Sequence, residues 1–328
     1  MTRAGRIALL MLLLAPLAVA GCRSAPILPN LGTLYQRAAQ DHGPTRNPVV
    51  VIPGILGSRL EDADGHVVWG AFGGRSASPA RPENARRFAL PMDARVPFDD
   101  GAALTDLRDS VRPTGVLDRV RVRLAGLPLQ LRAYLGILHA LGIGGYQDPE
   151  IADLDYGDDH FTCFQFAYDW RRDNVENAQR LIAFLRIKQD EVRAERIRRF
   201  GPTGDGPVRF DVIAHSMGGL MLRYALRHGD APLADVADAD MPPTWAGAPL
   251  IERAILIGTP NAGAVDAVRQ LVDGRDLGPL LPRYRSALLG TLPSIYQLLP
   301  RARHGALIDA DTGAMLDPLD PALWRQRG

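Results

Sequence analysis

Between Val208 and Arg227 the chain passes from strand to helix with no loop between them. Val208 to Ala214 reads as a strand and Met217 to Arg227 as a helix closed by Gly229; the join is Ala214-His215-Ser216-Met217-Gly218-Gly219. A serine at such a join sits on a sharp, strained turn that exposes its hydroxyl. Small residues two before and two after it, here Ala214 and Gly218, keep the strand and the helix from clashing. A turn of this kind needs a sheet to carry it, and the flanking segments supply one. Val49 to Ile52 is wholly apolar and closed by Pro53-Gly54, the pattern of a strand buried on both faces. Phe161 to Tyr168 and Arg253 to Gly258 read as further strands. Leu129 to Leu141 has helical spacing, and Asn174 to Arg199 is a long helix with a charged, solvated face. Strands alternating with helices predict a doubly wound, mostly parallel α/β sheet.

Serine chemistry also needs donors for the oxygen of a tetrahedral intermediate. One is the backbone N–H of Met217, just after the serine. The loop after an earlier strand supplies the other. Pro53-Gly54-Ile55-Leu56-Gly57 occupies that place and nominates the N–H of Ile55. His215 is adjacent to the serine on a sharp turn, so it points elsewhere and is not its base. Cys163, in Phe161-Thr162-Cys163-Phe164, reads as a packed and inert thiol.

From Glu61 to about Leu127 the periodicity dissolves, and a long insertion is expected. The 328 residues include 33 glycines and 26 prolines, which agrees with long irregular loops. The core is expected over 47–263, with loops and short helices over 264–328. A net charge of +1 excludes a broad electrostatic footprint for nucleic acid. No pattern of ligands for a metal or cofactor is present, and the oligomeric state is not constrained.

The N-terminus reads as an export device. Arg3 and Arg6 precede an apolar run, Ile7 to Val19, of 13 residues. That is too short for a spanning helix of about 20 residues and fits a signal peptide over 1–21. It ends in Val19-Ala20-Gly21-Cys22, which resembles the bacterial lipobox, whose cysteine is diacylated and becomes the mature N-terminus. The expectation is a cell-envelope protein anchored by lipid at Cys22, with a tether over 22–46 and an opening helix around Leu34 to Gln40.

Several segments, in order, resemble the lecithin:cholesterol acyltransferase family. They are Val50-Val51-Ile52-Pro53-Gly54-Ile55-Leu56-Gly57-Ser58-Arg59-Leu60-Glu61 with Val67-Val68-Trp69, then Ala167-Tyr168-Asp169-Trp170-Arg171, the Ser216 turn, Gly258-Thr259-Pro260-Asn261-Ala262-Gly263, and Leu292-Pro293-Ser294-Ile295-Tyr296-Gln297-Leu298-Leu299-Pro300. The resemblance spans roughly residues 47 to 325. It implies an α/β-hydrolase core with a lid, to which the insertion at about 61–127 corresponds, and a partial cap over 264–328. It also implies acyl transfer from lipid esters, phospholipids or their relatives, to an alcohol or water. By motif, Ser216 is the nucleophile, and Ile55 and Met217 are the oxyanion donors. Trp69 falls in the lid or membrane-facing region, or else in the core. Asp169 and Arg171 stand at a strand's carboxyl end, more in keeping with a salt bridge bracing that rim than with chemistry. Asn261 lines the pocket or serves only its turn.

The resemblance stops where the acid and base belong. An α/β hydrolase orders its triad as serine, acid, histidine. After Ser216 the only histidines are His228 and His304. His228 lies at the wrong end of the helix that follows Ser216, and no strand separates Asp266, Asp273 or Asp276 from His304. The expectation is a chain that stops short of its last strands and is unstable and weakly active alone. A noncatalytic lipid-binding relative, an irregular triad using His304, and a carboxylesterase for soluble esters stay open.

Overall fold

The computed structural model describes residues 41–72, 77–91, 109–117, 119–124, 127–132, 134–148, 161–236, 242–277 and 282–327. The signal peptide, Cys22, the opening helix and the tether up to residue 40 lie outside them. Strand β1 (Val49–Ile52) is fully buried. Burying each such side chain contributes about 1.5–3 kcal/mol, an upper estimate. It can be buried on both faces because both are covered. Val50 and Ile52 join a cluster with Ala178, Leu181, Leu185, Met221 and Leu222. Val49 and Val51 face the other way, onto Leu138 and Cys163.

Six further strands precede the next core strand: β2 (Ser58–Glu61), β3 (Val67–Trp69), β4 (Ala71–Phe72), β5 (Arg112–Val116), β6 (Arg119–Leu124) and β7 (Leu127–Arg132). The core resumes with β8 (Cys163–Gln165), β9 (Phe210–His215) and β10 (Ile251–Ile257). The core sheet has the order β10-β9-β1-β8. All three pairings are parallel, with Val49 opposite both Cys163 and Asp211 and Ile257 opposite His215. This is the doubly wound α/β arrangement.

The helices that bear on the site include α1 (Pro82–Phe88), α2 (Leu135–Ile143), α3 (Asn174–Phe200), α4 (Met217–His228) and α5 (Val265–Asp273). α3 starts cleanly because the Asp173 side chain caps it, accepting from the Val175 N–H at 2.6 Å. α4 ends at Gly229, whose φ of 64° suits a residue without Cβ.

Two expectations need correction. The 61–127 stretch is not devoid of regular structure: β3-β2-β5 and β4-β6-β7 form two small sheets there. The strands up to β5 escape a periodicity search because they are short or carry breakers, as in Arg112-Pro113-Thr114-Gly115-Val116, while Arg119–Leu124 alternates as a strand does. The turn between β2 and β3 is fastened by Asp62, whose carboxylate accepts from the N–H groups of Asp64 at 3.1 Å and His66 at 2.8 Å. Leu129 to Leu141 is not one helix. Leu127–Arg132 pairs antiparallel with β6, and α2 begins only at Leu135. Leu127-Pro128-Leu129-Gln130-Leu131-Arg132 in fact alternates with the period of a strand.

Among the described residues, β10 is an outer strand of the core sheet, and its second half, Ala254–Ile257, is apolar on both faces. Ile255, Leu256 and Ile257 are 48%, 40% and 41% exposed. Continuous apolar sequence is normally the mark of an interior strand, and such an edge favours self-association.

Candidate active site

Ser216 stands at the carboxyl end of the core sheet with φ 51° and ψ −124°. A non-glycine residue held there costs on the order of 1–3 kcal/mol. The packing around the turn enforces it. The Ser216 N–H donates to the Ile257 carbonyl at 2.8 Å. A Cβ at Gly218 would come within 2.4 Å of the Pro53 carbonyl oxygen, and one at Gly219 within 2.0 Å of Thr259 Oγ1. The need for Gly218 is legible from the spacing. That for Gly219 is not, because its neighbour is 40 residues away on the turn after β10.

The turn after β1 abuts Ser216. A Cβ on Gly54 would lie 2.8 Å from the Ser216 Cβ. The turn is closed by the Gly57 N–H donating to Gly54 O at 3.0 Å, and Leu56 takes a left-handed φ of 66°. Nearly every other polar group of the turn is engaged. Tyr168 Oη donates to Pro53 O at 3.0 Å, Trp69 Nε1 to Leu56 O at 2.8 Å, and Trp170 Nε1 to Ser58 O at 3.1 Å. The Gly54 N–H donates to Tyr134 Oη at 2.8 Å, and the Leu117 N–H to Gly57 O at 2.8 Å. Among the described residues, the N–H groups of Ile55 and Met217 have no hydrogen-bond partner. They are the two nominated for the oxyanion, and Met217 also stands at the start of α4, where a helix favours negative charge.

Trp69 is not in a lid. It is 4% exposed and its ring packs on Trp170, Phe88 and Tyr284, with centroids 5.3, 6.4 and 5.5 Å away. Its indole clamps the strained Leu56. Asp169 and Arg171 are both fully buried and form the brace expected of them, with Arg171 donating to Asp169 at 2.9 and 2.7 Å. The same guanidinium also reaches the Phe88 carbonyl at 2.9 Å and Asp109 at 2.5 Å. It thus ties α1 and the segment leading into β5 to the sheet's carboxyl end.

Asn261 accepts from Arg223 at 2.5 Å and lines a cleft of about 280 Å³. Asn174, Tyr224, Gln297, Arg301 and Arg303 line it too. The cleft is bounded by Leu220, one turn past Ser216 on α4. Gln297 joins this wall to α3, accepting from the Asn174 N–H at 2.8 Å and donating to Asp173 at 2.8 Å.

The histidines are distributed as the sequence suggests. His215 Nδ1 lies 2.8 Å from Tyr134 Oη, and burial lowers the pKa of its imidazole from the usual value. His228 ends α4, roughly 18 Å along the axis from Ser216 at about 1.5 Å per residue. His304 is exposed on the short turn Ala302–His304. Among the described residues, no histidine or carboxylate is hydrogen-bonded to Ser216 Oγ. Asp62, Asp64 and His66 offer ligand atoms within 4.8 Å of one another, but Asp62 is already paired with Arg87 at 3.0 Å. That group fastens a turn.

A parallel α/β sheet with a strained serine between strand and helix, facing a turn with an unengaged N–H, defines an α/β hydrolase. The family model of lecithin:cholesterol acyltransferase matches residues 153–316, half of the chain. The chain belongs to that family. Among solved structures, a chain in the crystal structure of the Tle4–Tli4 complex is similar, with 14% identity and a TM-score of 0.41 over 84% of this chain and 61% of that one. This chain therefore spans less than two thirds of that chain's length. No curated protein matches.

Proposed function

We propose that the chain is a serine acyl hydrolase or acyltransferase for lipid esters, working through an acyl-Ser216 intermediate. The observation that carries this is Ser216 held at positive φ against the Gly54 turn, with the Ile55 and Met217 N–H groups unengaged on either side. Ser216 Oγ adds to the ester carbonyl carbon, and its proton passes to a base. Ile55 and Met217 hold the oxygen as it becomes negative. The leaving alcohol takes a proton, and the acyl group stays on Ser216. Water or a second alcohol then reverses these steps and frees the enzyme. The family match supports lipid esters as the substrate class. The lipobox-like Cys22 supports the same reading, since an acylated anchor holds the site beside substrates that live in a membrane. A Cys22→Ser chain is expected to leave the membrane fraction for the soluble one; unchanged partitioning would refute the anchor.

Phosphatidylcholine vesicles and a soluble short-chain ester, each tested with Ser216→Ala as control, decide the class. Release of fatty acid from vesicles, lost in the variant, is the expected result. Turnover confined to the soluble ester would indicate a carboxylesterase. Vesicle binding unaffected by the substitution, without turnover, would indicate a lipid-binding protein that has no hydrolase activity.

A further inference from the structure

The Ile55 N–H and Ser216 belong to two separate stretches of chain, the turn after β1 and the turn after β9. Something must hold them in register, because a displacement of about 1 Å at a reacting centre can cost on the order of a hundredfold in rate. The hydroxyl of Tyr134 touches both. It lies 2.8 Å from the Gly54 nitrogen and 2.8 Å from His215 Nδ1, each next in sequence to one of the two functional groups. The side chain is itself fixed. Tyr134 is 8% exposed, stands immediately before α2, and packs edge-on against the His215 ring with centroids 5.6 Å apart. A Cβ on Gly57 would lie 2.9 Å from its ring, so the turn folds directly over it.

We propose that Tyr134 is a positioning residue, its hydroxyl a one-way hydrogen-bond bridge from the Gly54 N–H to His215 Nδ1 that sets the oxyanion turn against the Ser216 elbow. The proposal rests on the reading of Ser216 as nucleophile. The direction follows from the inventory of donors. A backbone N–H can only donate, so the Tyr134 oxygen accepts from Gly54. If His215 Nδ1 donated to that oxygen as well, the hydroxyl proton of the buried Tyr134 would have no acceptor among the described residues; the arrangement that pairs every group has Tyr134 donate to a lone pair on Nδ1. His215 is thereby held as the neutral tautomer with its proton on Nε2. The two peptides that meet at the Gly54 Cα are each held: Tyr134 binds the Pro53–Gly54 peptide through Gly54 N, and Gly57 binds the next one, which carries the Ile55 N–H, through Gly54 O. Tyr134 touches no reacting atom, and it acts by anchoring the peptide that precedes the Ile55 N–H, and with it the turn, relative to the serine. It also explains why a histidine precedes the serine without serving as its base.

Two measurements test the bridge. The first is the nitrogen chemical shifts of histidine-labelled full chain, with the His215→Asn variant identifying the His215 signals. The expected result is an unprotonated Nδ1 and a protonated Nε2; a proton on Nδ1 overturns the proposal whatever the enzyme's activity. The second is the kinetics of Ser216 modification by a fluorophosphonate. Tyr134→Phe should lower the maximal rate of adduct formation about 10- to 100-fold, with the half-saturating concentration unchanged. His215→Asn places an amide oxygen near the Nδ1 position and should retain most of the rate, while His215→Leu should behave like Tyr134→Phe. Equal maximal rates in Tyr134→Phe and the unmodified chain overturn the proposal. If Tyr134→Phe does not fold, the Asn and Leu pair and the tautomer still decide. Failure of the unmodified chain to react would count against the nucleophile, while the tautomer would still test the bridge.

Discussion

Replacing Asp169 with alanine should destabilise the fold by about 3–5 kcal/mol, the usual consequence of removing one partner of a buried ion pair. Both Asp169 and Arg171 are inaccessible to solvent, so water cannot take the place of the lost carboxylate. Asp109 would remain within 2.5 Å of the guanidinium, and the Phe88 and Arg87 carbonyls would still accept from it. Those contacts satisfy donors but leave one carboxylate where there were two. Loss of the brace should also loosen α1, because Arg171 is what joins the Phe88 carbonyl to the sheet. Urea unfolding of the variant and the unmodified chain measures the difference. A change below about 1 kcal/mol would mean that Asp109 alone neutralises the site, and that the Asp169 brace is dispensable.

The second large effect falls on rate. Gly54→Ala should slow acylation of Ser216 about 100-fold with little change in the circular dichroism spectrum. The added methyl would lie 2.8 Å from the Ser216 Cβ, 3.1 Å from His215 Nδ1 and 3.3 Å from the His215 carbonyl oxygen. None of these is the end of a flexible side chain, so the oxyanion turn has to move away from the elbow. The Ile55 N–H moves with it and falls short of the oxygen it should hold. Stopped-flow or discontinuous assay of adduct formation gives the rate. An alanine variant as fast as the unmodified chain would show that the turn does not supply the oxyanion donor.

Much of this site is legible in the amino-acid sequence. Val49–Ile52 and Phe210–His215 declare themselves as buried strands by their apolar sequence, and α3 and α4 by length, caps and spacing. Ser216, Ile55 and Met217 follow from a strand-turn-helix pattern and a Pro-Gly turn, both local in sequence. The Asp169–Arg171 brace also is local, two residues apart. What the sequence hides is long-range. The Tyr134 bridge joins residues 80 and 81 positions apart, and the Arg171 contacts with Phe88 and Arg87 join residues 83 and 84 apart. No spacing rule announces such pairs. The 61–127 stretch misleads for another reason. β2 to β5 are held by turn chemistry and by strand pairing and are too short or too interrupted to show a period, whereas β6, Arg119-Val120-Arg121-Val122-Arg123-Leu124, does alternate. Trp69 is ambiguous in sequence because an indole serves equally in a lid and in a core, and only the Leu56 carbonyl it clamps distinguishes them.

Covalent capture of Ser216 tests the central claim most directly. The full chain, shown to be folded by circular dichroism, is treated with a fluorophosphonate, and the adduct is located by mass spectrometry of its peptides, with Ser216→Ala alongside. A single adduct on Ser216, absent from the variant, is the predicted result. A folded chain that forms no adduct, or one that is modified elsewhere and equally in Ser216→Ala, would contradict the assignment of Ser216 as the nucleophile.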